Sequence, residues 1–543
     1  MSNAYDKASL VMIPTAQKEG KVYSAKPTDG SGDFAFSRGA DTATRVNEQG
    51  YIEKERGNVL LQSNQFDTTW SVENATTTSG QSGYDGLNNA WLLENTTTNF
   101  PRTQQNISLN EVVTISLYAK AGTNNFIRLL RIGGNTAQVY FDLSNGAIAN
   151  ESNTIDSNIT SVGNGWYRCS GTFTGATTSV RIYSADSVGS FALGNTLIQD
   201  AQLEKGLVAT DYIETTTVPV YSGILDNTPR LDYSNGATCP SLLLEPQRTN
   251  LVTGSEYYSG LYGGQNGSVS QGETGILPIS PTSGTIKYVS TAVGFNQLYY
   301  RLPASITIGT TYTQQGYVKC DDAPYIFFQI HPLGSGNLIV WDNVNNIVIS
   351  ASPFIDSYNI TSLSDGWVKA EITYTATSAS IYASIKTYFS SSSEYSQTGV
   401  PIGTIAYQAL LQVEAGSYPT SYIPTYGTSV TRAADVLGNS NNISGLFNDN
   451  QGTLYFQTES TIFKGLSINS SFLGLTESSS GNYFRFRGKD TNILTQSIGF
   501  GSNINFNTSG ATLTKYLYNQ EYKTEANQLL NKTVLDYKKP KKK

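Results

Sequence analysis

The sequence predicts an all-β protein assembled from tandem modules, and three observations support this prediction. Helix formers are sparse, and Ser, Thr, Asn and Gly separate short apolar and aromatic runs. The 35 Tyr and 21 Phe suit half-buried strands, because aromatic side chains pack well on a pleated surface. Finally, one stretch of the sequence returns later in the chain, which indicates a duplicated module.

The duplicated stretch is a predicted closing strand. Residues 412–425 keep the Gln-x-Glu, Gly, Thr, Tyr and Ile pattern of residues 202–215, and a Gly-Trp pair begins a matching earlier strand in each copy. We expect the recurring residues to build the fold, so that superposing the two modules brings each pair together. The pairs, first module against second, are Trp166 and Trp367, Glu204 and Glu414, and Tyr212 and Tyr422.

The opening segment has short apolar runs at residues 10–13 and 34–36, separated by turn-rich sequence. Such a segment cannot bury enough surface to fold alone. A hairpin is predicted at residues 44–53, with Gly50 in its turn. Because residues 230–245 carry a counterpart before the second module, we assign the hairpin at 44–53 to the first module.

The predicted boundaries follow from these patterns. They are 1–57, an N-terminal extended docking segment with the hairpin; 58–217, the first module; 218–249, a connector hairpin; 250–425, the second module; 426–514, a partial third β segment; and 515–543, a basic Lys-rich tail. The third segment is too short for a module of the same size. We expect either a small sheet or one that neighbouring subunits complete.

Charge argues against general nucleic-acid binding. The net charge is −7, although residues 515–543 carry 8 Lys against 3 acidic residues, so the body of the chain is more acidic still. Nucleic-acid binding needs basic surface to displace counterions. The basic end is predicted to be a solvated tail, with contact to an anionic partner as the alternative.

Cysteine usage favours assembly in a reducing cytoplasm. The three cysteines, Cys169, Cys239 and Cys320, leave one unpaired at best, so a disulfide framework is not expected. The N-terminus lacks the pattern of a signal peptide. No apolar run of about 18 residues predicts a membrane span.

The sequence contains no recognisable catalytic constellation, and we predict that the protein is not an enzyme. The single histidine, His331, cannot build a metal cluster, and no Gly-x-Ser-x-Gly elbow accompanies it. Glycoside hydrolysis needs two carboxylates flanking one bond. The prominent carboxylates occur in both copies, which favours turn capping or pairing with Arg; they are Asp142 and Asp342, Asp156 and Asp356, and Glu204 and Glu414.

Sugar binding is the sharper hypothesis, because aromatic faces stack on pyranose rings while nearby polar groups fix the hydroxyls. The matched Trp166 and Trp367 are predicted to be core residues. Aromatic residues without a counterpart in the other copy are the better ligand candidates, with core packing as the alternative for each. They are Trp70, Trp91, Trp341, Tyr257, Tyr258 and Tyr262.

Several stretches resemble bacteriophage virion proteins of the head-fibre or tail-fibre type. They are residues 5–14, the hairpin at 36–47, residues 244–251 (Leu-Glu-Pro-Gln-Arg-Thr-Asn-Leu) and the closing strand at 412–425. The resemblance covers roughly residues 5–460. It implies an elongated fibre or spike subunit whose β-sandwich modules are similar to carbohydrate-binding jelly rolls. The third segment resembles the start of a concanavalin-like or laminin-G-like sandwich.

The resemblance implies a structural protein of the virion, assembled in the host cytoplasm. Its partners would be other virion proteins and host surface polysaccharide, and residues 5–27, which have no internal counterpart, would attach it to the particle. Fibre-forming relatives and the short third segment favour a homotrimer. No cofactor is expected; a structural calcium ion is familiar in such jelly rolls, but no EF-hand pattern locates one.

Two other functions remain open. A polysaccharide depolymerase would be supported by an acidic cleft present in only one module. A decoration protein without a ligand is the architectural alternative.

Overall fold

A computed structural model confirms the all-β, tandem architecture. It describes residues 5–6, 8–39, 42–303, 306–334, 336–379, 385–395 and 399–438, together with the backbone of three later strands. In the described part of the chain, the regular elements are strands and three short 3-10 turns, at Ser234–Gly236, His331–Leu333 and Ser364–Gly366. Within these ranges, no helix is long and apolar enough to cross a membrane.

The strands before and within the first module alternate with short turns. The N-terminal strands are β1 Val11–Lys18, β2 Lys21–Lys26, β3 Phe34–Ser37, β4 Arg45–Val46, β5 Ile52–Glu53 and β6 Arg56–Asn58. The first-module strands are β7 Ser71–Glu73, β8 Ala75–Gln81, β9 Ala90–Asn95, β10 Arg102–Asn110, β11 Val113–Ala121, β12 Phe126–Ile132, β13 Ala137–Asp142, β14 Ala147–Ser152, β15 Thr154–Gly163, β16 Trp166–Phe173, β17 Ala176–Ala185 and β18 Gly194–Lys205.

The second half of the chain has the same rhythm. The connector strands are β19 Val220–Ser222, β20 Arg230–Asp232, β21 Ser241–Leu243 and β22 Arg248–Asn250. The second-module strands are β23 Tyr262–Gln265, β24 Gly267–Gln271, β25 Ile286–Ser290, β26 Asn296–Tyr300, β27 Thr311–Lys319, β28 Tyr325–Ile330, β29 Leu338–Asp342, β30 Ile347–Ala351, β31 Ser357–Ser362, β32 Trp367–Thr375, β33 Ile385–Ser390 and β34 Ile405–Ala415. Beyond it lie β35 Val430–Arg432, β36 Val436–Gly438, β37 Ser471–Thr476, β38 Tyr483–Arg487 and β39 Thr495–Gly499.

Each module contains two six-stranded antiparallel sheets with the same strand order. In the first module, sheet 1A is β14-β13-β12-β17-β10-β7 and sheet 1B is β15-β16-β11-β18-β9-β8. In the second, sheet 2A is β30-β29-β28-β33-β26-β23 and sheet 2B is β31-β32-β27-β34-β25-β24. Each pair of sheets encloses its own core of buried aliphatic and aromatic side chains. The two modules are therefore one fold.

Strand register places the recurring tryptophans in equivalent positions. Trp166 pairs with Lys120 at the start of β16, and Trp367 pairs with Lys319 at the start of β32. Both indoles are 1% exposed. Both side chains are therefore buried as predicted, but neither lies in the core between its two sheets: Trp367 packs with Ile52 and Tyr422 on the outer face of sheet 2B, and Trp166 packs against Tyr84 on the matching face of sheet 1B.

The closing strand is locked by the same hydrogen bonds in both modules. Glu204 accepts bonds from the backbone N–H (2.9 Å) and hydroxyl (2.7 Å) of Thr210, and Glu414 accepts the same pair from Thr420 at 2.8 and 2.7 Å. Burial acts to raise the pKa of both carboxyls. A buried carboxylate that closes a return loop is a structural residue, which accounts for its duplication.

A buried asparagine anchors the first strand of each module to this closing strand. The side chain of Asn58 donates to the carbonyls of Ala201 and Ile213, and Asn250 donates to Leu411 and Ile423. Each side-chain oxygen also accepts two backbone N–H groups. The ends of each module are thereby tied together. Beside each asparagine, a tyrosine hydroxyl is hydrogen-bonded to a serine hydroxyl: Tyr212 to Ser63 in the first module, and Tyr422 to Ser255 in the second.

The N-terminal region differs from the extended segment predicted from sequence. Strands β1, β2 and β3 form a four-stranded sheet with β36, which follows the second module. Ala35, Phe36 and Ser37 pair with residues 436–438. We call this the N-terminal sheet. Its hydrogen-bonding partner was not predictable from local pattern, because it lies at the other end of the described chain.

The assignment of the first hairpin, β4–β5, to the first module was wrong. The Ile52 N–H donates to the carbonyl of Ile279 at 2.8 Å, and the Ile52 side chain packs with Trp367 and Tyr422. Lys54 forms an ion pair with Glu256 at 2.6 Å. The hairpin packs on the second module because the outer face of sheet 2B offers it an apolar surface.

A buried arginine cluster joins these parts of the chain. It consists of Arg38, Arg230, Arg432, Glu245 and Asp435, all of whose side chains are 0–7% exposed. Glu245 lies 2.9 Å from both Arg230 and Arg432, and Asp435 contacts Arg38 at 3.1 Å and also Arg230. The cluster links the N-terminal sheet, the connector and the strands after the second module.

Part of the third β segment is described by backbone only. Strands β37, β38 and β39 form a three-stranded antiparallel sheet. The remainder of the predicted segment 426–514 beyond residue 438, and the tail 515–543, lie outside the described residues.

Candidate functional site

Five of the six aromatic residues singled out from sequence are buried, so the ligand-binding assignment for them does not fit their positions. Trp70 and Trp91 pack against Phe66 with ring centroids 5.0 and 6.1 Å away. Their indole N–H groups donate to the carbonyls of Gln62 and Asn64, both at 3.0 Å. Because their ring faces pack inside the module and their N–H groups donate to backbone carbonyls, these two side chains are not available to a sugar ligand.

The second-module candidates show the same pattern. Trp341 is 2% exposed and occupies the core position that Phe141 has in the first module. The Tyr262 hydroxyl donates to the carbonyl of Gly254 at 2.9 Å. Tyr257 packs against Val112 and Leu207 of the first module, so it belongs to the contact between modules.

Tyr258 alone among the six is exposed, at 40%. Its backbone N–H donates to the side chain of Gln271 at 2.8 Å. An isolated exposed tyrosine is normal on a protein surface. The structure therefore directs attention to other aromatic residues.

A cleft of about 490 Å³ lies on the outer face of sheet 2B. Its lining combines a half-buried aromatic ring, acidic groups and one lysine; the residues are Glu273, Ile276, Lys319, Asp321, Asp322, Trp367, Gly403, Ile405 and Tyr407. We call it the second-module cleft. Strand register positions it, because Lys319 pairs with Trp367 on one side and with Tyr407 on the other.

Two ion pairs lie at the walls of the cleft. Lys319 lies 3.3 Å from Asp321, and Lys287 lies 3.2 Å from Glu273 and 5.8 Å from the centre of the Tyr407 ring. Burial acts to raise the pKa of Glu273, but hydrogen bonds from Tyr407 and Lys287 outweigh it and hold the pKa below its ordinary value. The carboxylate is thus ionised and serves as a hydrogen-bond acceptor beside the ring.

The Trp367 side chain forms the floor but contributes no free face. Its N–H donates to the Ile276 carbonyl at 3.2 Å, and its ring is 1% exposed. Tyr407 is half-buried, and burial followed by the Glu273 carboxylate raises the pKa of its hydroxyl. At neutral pH this hydroxyl is a hydrogen-bond donor. The first module has Leu197 at the matched position, so the cleft chemistry is not duplicated.

The matching face of sheet 1B carries a different group. Tyr84 stacks on Tyr118 with centroids 3.8 Å apart, and the Arg168 guanidinium lies 5.6 Å from the Tyr118 ring. The Tyr84 hydroxyl donates to Asp200 at 2.9 Å. In the second module, Leu410 replaces Asp200 at the same irregular position of the strand; both have left-handed backbone, with φ of 55° and 49°.

We call Asp200, its acidic neighbours Asp85 and Glu214, and Tyr84 the first-module acidic face. The second module lacks this group, because Leu410 occupies the position of Asp200. Burial is the main cause that raises the pKa of Asp200 to about 6; the Tyr84 hydrogen bond opposes it, and the carboxylates of Asp85 and Glu214 reinforce it. Asp200 therefore takes up a proton at a higher pH than an ordinary aspartate does. A comparison of the two module sequences could have identified Asp200, because an aspartate that aligns with a leucine is not required by the fold that the modules share.

Of the other acidic residues, Asp142 and Asp342 cap turns, whereas Asp156 and Asp356 bind threonine hydroxyls distant in sequence. Asp142 accepts the backbone N–H of Ser144 at 2.9 Å, and Asp342 accepts that of Val344 at 3.0 Å. Asp156 and Asp356 accept bonds from Thr274 (3.1 Å) and Thr375 (2.9 Å).

His331 begins a 3-10 turn, and burial together with Lys386 lowers its pKa. Among the residues that the structure describes, no group of three His, Cys, Asp or Glu side chains is arranged to hold a metal ion.

No family model and no curated protein matches the chain. Among solved structures, it is similar to the N-terminal tandem CBM22-1–CBM22-2 domain of Xyn10C from Paenibacillus barcinonensis. The identity is 13%, and the match covers 70% of this chain and 99% of that one. The TM-score is 0.21, which is too low for that likeness to carry an argument about function.

Proposed function

We propose that the protein is a structural, glycan-binding subunit of a bacteriophage fibre or spike, and that it binds host surface polysaccharide in the second-module cleft. The observation that carries the binding proposal is the combination in one cleft of the half-buried Tyr407 ring with the carboxylates of Glu273, Asp321 and Asp322. Sugar sites pair an aromatic face with a few convergent polar groups. A volume of about 490 Å³ is in the range of small-ligand sites.

The chemistry of the cleft favours a neutral sugar. The Tyr407 ring would pack on the apolar face of a pyranose, Glu273 would accept hydrogen bonds from its hydroxyls, and Lys319 would donate to them. Three carboxylates against Lys319 and Lys287 leave the site slightly acidic, which opposes uronic or sialic acids.

Glycan-array binding of the full chain tests this proposal, with Tyr407→Leu as the key variant. Leucine is the first-module residue at this position, so the fold tolerates it. We expect loss of about 1–3 kcal/mol of binding free energy, or roughly 5- to 150-fold in affinity. Tyr221→Ala, which removes a tyrosine 43% exposed on β19, is the matched control and should bind normally. A wild-type chain that binds no glycan, or an unchanged Tyr407→Leu variant, contradicts the proposal.

The virion role rests on the sequence resemblance of residues 5–460 to fibre proteins. We propose that residues 5–27 attach the chain to the particle and that three chains associate. Deleting residues 1–27 removes β1 and β2 but leaves β3 paired with β36. The deletion should yield a folded protein that no longer enters virions. If the deleted chain enters virions normally, residues 5–27 do not attach it, and the basic tail at 515–543 becomes the next candidate.

The first-module acidic face supports a second candidate, a polysaccharide depolymerase. Asp200, with its pKa near 6, could protonate a leaving-group oxygen, and a neighbouring carboxylate would act opposite it. Release of reducing ends from host polysaccharide, abolished in Asp200→Asn, would establish this activity. Its absence in the wild-type chain supports the binding function alone.

A further inference from the structure

A second cavity of the second module, of about 260 Å³, lies on the outer face of sheet 2A. It is lined by Gly264, Gln265, Gln297, Tyr299 and Lys386, and we call it the sheet-2A cavity. Strand alternation directs its side chains outward, because Leu298, Tyr300 and Phe389 on the same strands belong to the core. The cavity therefore lies on the opposite sheet from the second-module cleft and shares no residue with it.

Two cations flank the aromatic ring of this cavity. The Lys386 ammonium lies 5.9 Å and the Arg301 guanidinium 5.3 Å from the centre of the Tyr299 ring. Arg301 also donates to the Tyr299 hydroxyl at 3.1 Å. A Cβ at Gly263 would lie 2.5 Å from Tyr299 Cζ, so glycine is what lets the ring lie against β23. The ring is thereby held beside two positive charges.

The basic groups of this region act on one another. Burial, followed by the Arg301 guanidinium, lowers the pKa of Lys386. Burial, followed by Lys386, lowers the pKa of His331, which comes directly after β28. On β28, Gln329 pairs with Lys386, so the histidine lies near the cavity. Like charges at close range disfavour the protonated forms, and an anion bound here would offset that repulsion.

A buried acceptor in the cavity has no donor from the protein. Gln297 is 6% exposed, and its Oε1 atom is buried without a hydrogen-bond partner among the described residues. Burying a polar atom without a hydrogen bond is costly, so such atoms are nearly always paired. Because an amide oxygen accepts, the missing partner is a donor such as a hydroxyl group. A bare carboxylate offers only acceptors and cannot supply it.

The first module fills the matching positions with an internal network. Strand register gives the matched residues, second module against first: Gln265 and Glu73, Gln297 and Arg102, Tyr299 and Gln104, and Lys386 and Arg181. In the first module, Glu73 forms an ion pair with Arg102 and accepts a hydrogen bond from Gln104 at 2.9 Å. The shared fold therefore satisfies these positions without a ligand. The second module has an aromatic ring and an unpartnered amide oxygen there instead.

We infer that the sheet-2A cavity binds a carboxylate-bearing sugar, of the uronic or sialic acid type. Its carboxylate would pair with Lys386 beside Arg301. One of its hydroxyls would donate to Gln297 Oε1, and the apolar face of the pyranose would pack on Tyr299. An acidic sugar is the class of ligand that combines a negative charge, hydroxyl donors and an apolar ring face. This site is additional to the second-module cleft, whose acidic lining favours a neutral sugar.

His331 provides a direct readout, because it is the only histidine of the chain. Its imidazole signals can be followed by NMR in histidine-labelled full-length protein, with D-glucuronate, N-acetylneuraminate, D-glucose and acetate as separate probes. We expect at least one of the two acidic sugars to shift these signals saturably and to raise the pKa of His331, because the bound carboxylate opposes the effect of Lys386. Glucose lacks the charge and acetate lacks the ring and hydroxyls, so each should bind about 10-fold more weakly or worse.

Two variants, measured by calorimetry with the acidic sugar that binds, test the residues. Lys386→Gln removes the cation and should weaken binding by about 10- to 150-fold. The double variant Gln265→Glu with Gln297→Arg installs the ion pair of the first module and should abolish binding, because the new pair fills the cavity and removes the unpartnered oxygen. Arg181→Gln removes the cation at the matched position of the first module and should bind as wild type does. Circular dichroism verifies that all variants are folded.

Three results would overturn the inference. The first is that neither acidic sugar shifts the His331 signals saturably. The second is that acetate or glucose binds as tightly as the acidic sugars, which would mean a site for a plain anion or for any sugar. The third is wild-type affinity in Lys386→Gln or in the double variant. Failure of neutral-sugar binding in the second-module cleft would leave all of these measurements unchanged, because that cleft contains none of these residues.

Discussion

Replacing Glu245 with Gln should destabilise the protein far more than the same change at its counterpart in the first hairpin, Glu53. Glu245 accepts hydrogen bonds from the Ser421 N–H (2.7 Å) and hydroxyl (2.6 Å) and lies 2.9 Å from Arg230 and Arg432. Glutamine removes the charge and presents an N–H₂ group to two guanidinium groups. Asp435 would then be the only carboxylate of the cluster beside its three buried arginines.

The expected cost follows from burial. Removing one partner of a buried ion pair costs about 3–5 kcal/mol, because the other charge remains without compensation. For a folding unit of about 150–250 residues, where each kcal/mol shifts Tm by about 2–4 °C, that corresponds to a decrease in Tm of about 6–20 °C. Glu53 also forms an ion pair, with Arg45 at 2.8 Å, but its side chain is 29% exposed. An exposed pair contributes about 0–1 kcal/mol, so Glu53→Gln should change Tm by no more than a few degrees.

The pH dependence has a defined sign. Burial acts to raise the pKa of Glu245, but Arg432 and Arg230 outweigh it and lower the pKa below its usual value. The carboxylate therefore contributes its full stability above the ordinary glutamate pKa of about 4.3, and the contribution is lost as the pH falls through the lower folded-state value. Thermal unfolding followed by circular dichroism should show the largest difference between wild type and Glu245→Gln near neutral pH, decreasing below pH of about 4.

An equal effect of Glu53→Gln and Glu245→Gln would refute this reasoning. So would a Glu245→Gln variant within about 1 kcal/mol of wild type in denaturant titration. Either result would mean that the cluster tolerates an uncompensated positive charge.

Three further predictions concern the interior. Asn58→Ala and Asn250→Ala each remove four hydrogen bonds to buried backbone groups, so each should lower the free energy of unfolding by about 3 kcal/mol in urea titration, whereas a loss under 1 kcal/mol would contradict the anchoring role. Gly133→Ala would place a Cβ 1.6 Å from the Ala176 carbonyl and should cost about 1–3 kcal/mol, while Gly134→Ala, with open space around it, should be neutral. Burial raises the pKa of the Cys320 thiol to about 12 and also raises that of Cys169, so a thiol reagent should modify only Cys239 in the native chain and all three after unfolding.

Duplication was the most informative signal in the sequence. Glu204 and Glu414 recur because the same return loop must be closed in each module, and the structure gives both the same partners. A difference between the two copies, however, does not mark an exposed residue. Trp341 differs from Phe141 in size but not in place, since both fill the same core position.

The second-module cleft was missed for a physical reason. Side chains along β34 alternate between the inner and outer faces of sheet 2B. Both faces are largely apolar, because the hairpin at Ile52 covers part of the outer face. Tyr407 is therefore indistinguishable from a core residue in the sequence. Likewise, no local pattern connects Arg38 to Asp435 or Ile52 to Ile279, because their partners lie far along the chain.

The pairing of β3 with β36 determines when the protein can finish folding. Arg38 and Asp435 are 397 positions apart, so the N-terminal sheet must wait until nearly the whole described chain has left the ribosome. At about 5–20 residues per second, β1 to β3 remain without their final partner for about 20–80 s, while the first module is already complete. During translation the new chain therefore exposes the unpaired edge of β3 near its leading end until β36 has been made.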